Sequence, residues 1–387
     1  MLLVLLLLLA ACGSSAAPGK PAPGGLLVGY YLPRGGAAPY RVLDVERSGA
    51  ARRLTHLVYA FGAVTGGRCA AAAPATDYEH TVAAADSVDG AAADGGEFGQ
   101  LRRLKQRNPA LKVLWSFGGW NGSAGFTDAA RDPRAFAASC KEVLDDPRWA
   151  GVFDGIDLDW EYPNACGAGC DTSGPDALAR VVAAMREALG PDRLVTAAVT
   201  ADATSGGRLG RADYAVAAGS LDWMMAMTYD YAGTGDPAGP TAPHSALRSY
   251  PGESRAGSDA DAAIGRLRQD GVPAGKLLLG VGFYGRGWTG VSQDSPGGSA
   301  TGPAPGGRGS GAEDYRVLRT ACPATGTVGG QVYARCGDQW WSYDTPQTLA
   351  GKAAYVRDQG LAGVFCWELG GDTPDGELLG ALQAALD

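Results

Sequence analysis

Four carboxylic acids fall within eight positions in the stretch Gly151–Pro163, GVFDGIDLDWEYP: Asp154, Asp157, Asp159 and Glu161. Acids at that density can move protons, hold a cation or pair with bases. The same stretch is apolar at Val152, Phe153, Ile156 and Leu158, so it reads as a buried strand. Strand side chains alternate faces, which sets Asp157, Asp159 and Glu161 on one face and Ile156, Leu158 and Trp160 on the other. Asp154 has the opposite parity and should point away from the other three acids. Three carboxyl groups on one buried face repel one another and lose hydration. At least one pKa should therefore rise, leaving a protonated acid near neutral pH. A calcium loop would instead need glycine-rich turns and spaced backbone carbonyls. An ion-pair ladder would need arginines, and none lies within the motif.

The elements that must hold this strand follow from the apolar pattern. Short apolar runs recur at Leu26–Leu32, Leu54–Phe61, Leu111–Phe117, Val152–Glu161, Leu194–Ala201, Leu221–Tyr229, Leu277–Tyr284 and Leu361–Glu368. Helical patterns fall between several of them. Phe136–Leu144 leads into the acid strand, and Leu178–Leu189 carries a helical apolar stripe. Ala260–Leu267 follows Ser258 as the expected N-cap, and Thr345-Pro346 opens a helix that Gly360 should end. Eight strands alternating with helices predict an α/β fold, a (β/α)₈ TIM barrel, with the acid strand fourth and Glu161 at its C-terminal end. That end is where barrels of this kind carry their chemistry. Between the seventh and eighth strands, about 289–342 is too long for a plain loop and predicts a small insertion. The expected organisation is a leader and linker over 1–25 and a catalytic barrel over 26–387.

The pattern D-x-x-D-x-D-x-E followed by Tyr-Pro closely resembles the signature of family 18 glycoside hydrolases, the chitinases. The resemblance implies that Glu161 is the general acid. Asp159 would orient and charge-balance the substrate's N-acetyl group, Asp157 would be its electrostatic partner, and Asp154 would be structural. Ser116-Phe117-Gly118-Gly119-Trp120 is similar to the family's S-x-G-G motif at the end of the third strand, and Trp120 joins the substrate-binding set. Met227-Thr228-Tyr229-Asp230-Tyr231 resembles its M-x-Y-D. That likeness gives Tyr229 a hydrogen bond to the N-acetyl carbonyl and places Met227 and Asp230 around the same sugar. Tyr284 and Arg286 of YGRGW would reach the cleft, and Trp367 would floor the scissile-sugar subsite. Tyr30 and Phe61 match cleft positions at the ends of strands one and two. Trp115, Trp149 and Trp223 are read as core. The family places a small α+β insertion after strand seven as one wall of the cleft.

The resemblance implies a retaining hydrolase of β-1,4-linked N-acetylglucosamine polymers that uses the substrate's own acetamide as nucleophile and needs no cofactor or metal. Two other readings share these motifs: an endo-β-N-acetylglucosaminidase acting on glycoproteins, and a non-catalytic, chitin-binding lectin-like barrel. Lectin-like barrels typically lose the terminal glutamate or its aspartate partner, and here both Asp159 and Glu161 are present.

Composition sets the compartment and the partners. The net charge of −8 disfavours nucleic acid and anionic membrane surfaces and suits a neutral polymer, with the protein acting as a monomer. Met1–Ala11 is almost wholly apolar but too short to span a bilayer, which is the pattern of an export signal. Leu9-Ala10-Ala11-Cys12 resembles a bacterial lipobox, so Cys12 is expected to carry lipid on an exported, cell-surface protein. A plain signal with an incidental cysteine is the alternative, and no Lys or Arg precedes the apolar run. Outside the cytoplasm disulfides are expected. Cys166/Cys170 and Cys322/Cys336 are close in sequence, Cys69/Cys140 is the remaining pair, and Cys366 in GVFCWEL should be a buried free thiol. The scattered histidines, His56, His80 and His244, do not form a zinc pattern.

Overall fold

A computed structural model describes residues 25–35, 39–233 and 235–387. The expected leader, Cys12 and the linker up to position 24 lie outside the described residues. Eight parallel strands close into a barrel: β1 (Leu26–Tyr31), β2 (His56–Thr65), β3 (Lys112–Gly118), β4 (Gly155–Asp159), β5 (Leu194–Val199), β6 (Trp223–Ala226), β7 (Leu277–Gly282) and β8 (Gly363–Trp367). Closure comes from β1, which pairs with β2 on one side and β8 on the other.

Strand alternation divides the barrel's core into two. Val28, Tyr30, Val58, Ala60, Leu114, Met225, Leu278 and Phe365 meet inside the barrel. Their neighbours of opposite parity, including Leu27, Tyr31, Leu57, Tyr59, Val113, Trp115, Ile156 and Leu158, pack between strands and helices. A strand buried on both faces must be apolar throughout, and the exceptions at Asp157 and Asp159 are therefore conspicuous. Trp115 and Trp149 belong to the outer core, and Trp223 is likewise buried, as the core reading has it.

The helices begin and end where capping chemistry directs. Asp132 accepts from the Ala135 N–H (3.1 Å) ahead of helix Pro133–Leu144. Thr345 and Thr348 form a reciprocal box before Pro346–Gln359, and Gly360 ends that helix at φ 64°. One cap differs from expectation. Asp259, not Ser258, caps helix Ala260–Gln269, accepting from Ala262 N–H at 3.0 Å. The reason is tertiary: the Ala260 N–H bonds the Ala246 carbonyl, which aligns the extended Asp259 with the first turn.

A second, antiparallel sheet follows β7. Its central strand is Tyr284–Thr289, flanked by Gln339–Tyr343 and then Gln331–Cys336 and Gly326–Val328, with Gly302–Pro303 and Ala312–Asp314 on its other edge. Tyr284, expected to end the seventh strand, thus opens this sheet instead, because β7 stops at Gly282. Three disulfides form as paired by sequence: Cys69–Cys140, Cys166–Cys170 and Cys322–Cys336; Cys366 is free and buried.

The second sheet is held to the barrel by a buried ion pair. Lys352 Nζ lies 2.6 Å from Asp344 Oδ2 and 2.7 Å from both the carbonyl and hydroxyl oxygens of Ser245, so all three ammonium hydrogens have partners. Lys352→Met leaves Asp344 buried without its cation. We expect a loss of about 3–5 kcal/mol, read as a lower midpoint in urea denaturation at pH 7.

Candidate active site

The acid strand is shorter than the expected Val152–Glu161: it spans Gly155–Asp159, so its parity places Asp157 and Asp159, while Glu161 lies past its end. Asp157 is fully buried inside the barrel. Its Oδ2 accepts from Tyr30 Oη and Ser116 Oγ, and its Oδ1 from Thr196 Oγ1, each at 2.7 Å. Burial raises the Asp157 pKa, and these hydroxyl donors oppose the rise. Asp154 faces the other way, with its Oδ2 2.6 Å from Lys105 Nζ and 2.8 Å from the Val113 N–H.

Asp159 is buried, and its Oδ1 has no hydrogen-bond partner among the described residues. Burial, then the charges of Glu161 and Asp157, push its pKa well up. Glu161 stands just beyond the last strand residue. Its backbone N–H donates to Ser123 Oγ at 2.8 Å, and the Ser123 hydroxyl lies 2.9 and 3.1 Å from the Gly119 and Asp159 carbonyls. The Glu161 carboxyl is pushed up to about 7: burial raises it, the Tyr162 hydroxyl lowers it, Asp230 raises it and Arg208 lowers it. Two acids of elevated proton affinity, two residues apart, thus hold a proton between them near neutral pH.

The two glycines of SFGGW admit this approach. Gly118 has φ 112°, and a Cβ there would come within 2.3 Å of the Asp159 carbonyl. At Gly119, φ 81°, a Cβ would meet the Phe61 ring at 2.8 Å. Either side chain would push the third strand's end away from the acids.

Aromatic rings line the barrel mouth. Trp367 meets Tyr30 edge-on at 5.4 Å and stacks on Phe61 at 5.7 Å. Tyr229 packs on Phe365 at 6.0 Å and near Tyr284 at 6.3 Å. Burial keeps its phenol protonated and able to donate. Met227 packs against the same inner cluster. Trp120 is 50% exposed beside Tyr162, an indole face presented to solvent that an apolar sugar face could cover. Asp230, in the left-handed region at φ 60°, accepts from Arg286 Nε (2.7 Å) and Nη2 (2.8 Å) and from Tyr284 Oη (2.7 Å). Desolvation raises its pKa, but Arg286 outweighs it and holds Asp230 below the ordinary range.

Sequence reasoning missed several groups. Glu368, directly after Trp367, is fully buried between Arg34 and Arg308, and both arginines also reach Asp314 in the second sheet. The available signal was a glutamate inside a buried apolar run. His244 is buried, its ring nitrogens have no hydrogen-bond partner among the described residues, Nδ1 lies 3.8 Å from Asp230, and burial lowers its pKa to about 3. Ser123 and Arg208 carried no motif. Among the described residues, no three His, Cys, Asp or Glu side chains are grouped as metal ligands.

The chain matches the family described as Glycosyl hydrolases family 18 over residues 27–372. It is 49% identical over 382 residues to chitinase 63 of Streptomyces plicatus, covering 97% of this chain and 63% of that protein. It is 52% identical over 344 residues to chitinase C of Streptomyces lividans, covering 87% of this chain and 56% of that protein. The chain therefore spans less than two thirds of the length of these two relatives. Among solved structures, the catalytic domain of psychrophilic chitinase B from Arthrobacter TAD20 superposes with a TM-score of 0.86 at 31% identity, covering 94% of this chain and 95% of that one.

Proposed function

This chain belongs to the family 18 glycosyl hydrolases, and on that premise we propose that it is a chitinase, cleaving β-1,4-linked N-acetylglucosamine polymers with retention of configuration. The observation that carries this reading is the acid strand at the barrel mouth, with burial raising the proton affinity of Glu161 and Asp159 beside it buried with an oxygen that has no partner among the described residues.

Glu161 gives its proton to the glycosidic oxygen. Asp159 takes the N–H of the acetamide on its open Oδ1 and balances the charge that develops there. Asp157, fixed by Tyr30, Ser116 and Thr196, keeps negative charge behind Asp159. Tyr229 donates to the acetamide carbonyl. Trp367, stacked on Phe61 and braced by Tyr30, floors the sugar, and Met227, Tyr284 and Arg286 close around it. The second sheet walls the cleft, which suits a long linear polymer better than a branched glycoprotein. The roles of these residues rest on family likeness together with this geometry.

Hydrolysis of chitin hexamer, with none of a high-mannose glycopeptide, is the expected result for the purified protein. Cleavage of the glycopeptide alone supports the glycosaminidase reading, and binding of the hexamer without cleavage supports a lectin. The acid form of Glu161 is lost as pH rises through about 7. A plot of kcat/KM against pH is therefore expected to fall on its alkaline side with a midpoint near that value. The leader reading adds export as a monomer with lipid on Cys12. An intact mass that shows another, unmodified N-terminal residue rejects the anchor.

A further inference from the structure

A loop closed by Cys166–Cys170 packs against the backbone of the catalytic acid. Its Gly167 is in backbone contact with Glu161: a Cβ there would lie 2.4 Å from the Glu161 carbonyl oxygen. The loop is pinned by Asp171, whose Oδ2 accepts from the Asn164 N–H at 2.7 Å and whose N–H donates to the Ala165 carbonyl at 2.9 Å. Asn164 Nδ2 in turn donates to the Arg211 carbonyl at 2.8 Å. The short turn Arg208–Arg211, which follows β5, is thereby joined to the loop.

Arg208 spans this junction. Its Nε donates to the Cys166 carbonyl at 2.9 Å, and its guanidinium carbon sits 4.9 Å above the centre of the Tyr162 ring, the residue next to the acid. Asp202 Oδ2 holds it from behind, 3.4 Å from Nη1. The charged and titratable groups that face Glu161 are Asp159 at the end of β4, Tyr162 next in the chain, Tyr229 and Asp230 beyond β6, and Arg208 beyond β5. Arg286, also at the mouth, is engaged in two bonds by Asp230, and Arg34 and Arg308 are held by Glu368.

We propose that Arg208 is a positioning residue of the reaction: it clamps the Cys166–Cys170 loop and the Tyr162 ring against Glu161 and keeps a cation facing the acid. The role rests on the proposed function, in which Glu161 serves first as acid and then as base. An acid buried beside other carboxylates binds its proton too tightly for the second step. A facing cation restores the balance, and catalysis is best when that proton affinity matches the working pH. Arg208 supplies this from a side chain that touches no reacting atom.

Titration of Glu161 by ¹³C NMR, with glutamate carboxyls labelled and its resonance assigned by loss in Glu161→Gln, tests the charge directly. Arg208→Gln and Arg208→Ala are expected to move the midpoint upward by about 0.3–1 pH unit, since a partly exposed cation is screened by water. Arg208→Lys keeps the charge and is expected to stay within about 0.2 unit of wild type. The alkaline limb of kcat/KM on chitin hexamer should move with the NMR midpoint. An unmoved or lowered midpoint in the Gln and Ala variants overturns the proposal, as does a Lys variant that moves as far as they do. The NMR midpoint is read whether or not the protein cleaves chitin, so a shifted midpoint in a protein inert on chitin refutes the proposed function and leaves the Arg208–Glu161 coupling standing.

Discussion

Glu161→Gln is expected to abolish useful turnover of chitin oligomers while leaving the barrel folded. The amide is isosteric with the acid but has no proton to give to the departing glycosidic oxygen. General acid catalysis is worth about 10²–10⁴ in rate, so kcat should fall at least a hundredfold, and retention of more than roughly a tenth of wild-type activity would rule out the assignment. Stability gives the same substitution a second, independent readout. Burial raises the proton affinity of Glu161 in the folded state to about 7. Its folded-state pKa therefore lies above the unfolded value. Between those values the folded protein holds the proton that the unfolded chain releases, so stability declines as pH rises. The amide carries no such burden. At pH 8 the variant is expected to melt no lower than wild type and to gain up to about 3 kcal/mol, and the difference should vanish below pH 4. A variant that is less stable at pH 8 than at pH 4, relative to wild type, would show that Glu161 is not held in its acid form by burial.

The second large effect concerns the nucleophile. Retaining glycosidases usually set a second carboxylate about 5–5.5 Å from the acid across the sugar. Asp157 and Asp159 lie on β4, the strand that leads directly into Glu161, and so are badly placed to reach the opposite face of the sugar. Asp230, the remaining acid that faces Glu161, has both oxygens occupied by Arg286 and Tyr284. The tethered acetamide oxygen of the substrate is then the group best placed to attack, with the large effective concentration of an intramolecular reaction. Attack gives a cyclic oxazolinium ion, a known exception to the two-carboxylate scheme. Water opens it from the face the leaving group vacated, with Glu161 as base. NMR of fresh product should therefore show the β-anomer first. A fully deacetylated oligomer of equal length should bind and remain uncut, a loss of at least about 10³ in rate if the internal nucleophile is the main source of acceleration. Early α-anomer, or efficient cleavage of the deacetylated oligomer, would refute this mechanism even with Glu161 essential.

Local periodicity was legible in the amino-acid order alone. Alternation along the acid stretch placed Asp157 and Asp159 on one face and sent Asp154 outward, because strand direction depends only on parity, whereas Glu161 lies past the strand's last residue. The eight apolar runs and their helices were enough to imply the barrel, since a parallel strand buried on both faces has few other places to go. Disulfide partners close in sequence were legible for the same local reason. Which distant groups meet at the barrel mouth depended on the folded chain. The three hydroxyls on Asp157 come from β1, β3 and β5, strands that become neighbours of one layer only when the barrel closes. Glu368 survives burial because Arg34 and Arg308 arrive from positions 334 and 60 residues earlier in the chain. The choice of Asp259 over the adjacent Ser258 as a cap depended on a bond to Ala246 across the fold. Capping propensity alone does not distinguish two neighbouring good caps. Arg208 belongs to the same class: nothing in its own stretch marks it, and its meaning comes from the loop and the acid that folding brings beneath it.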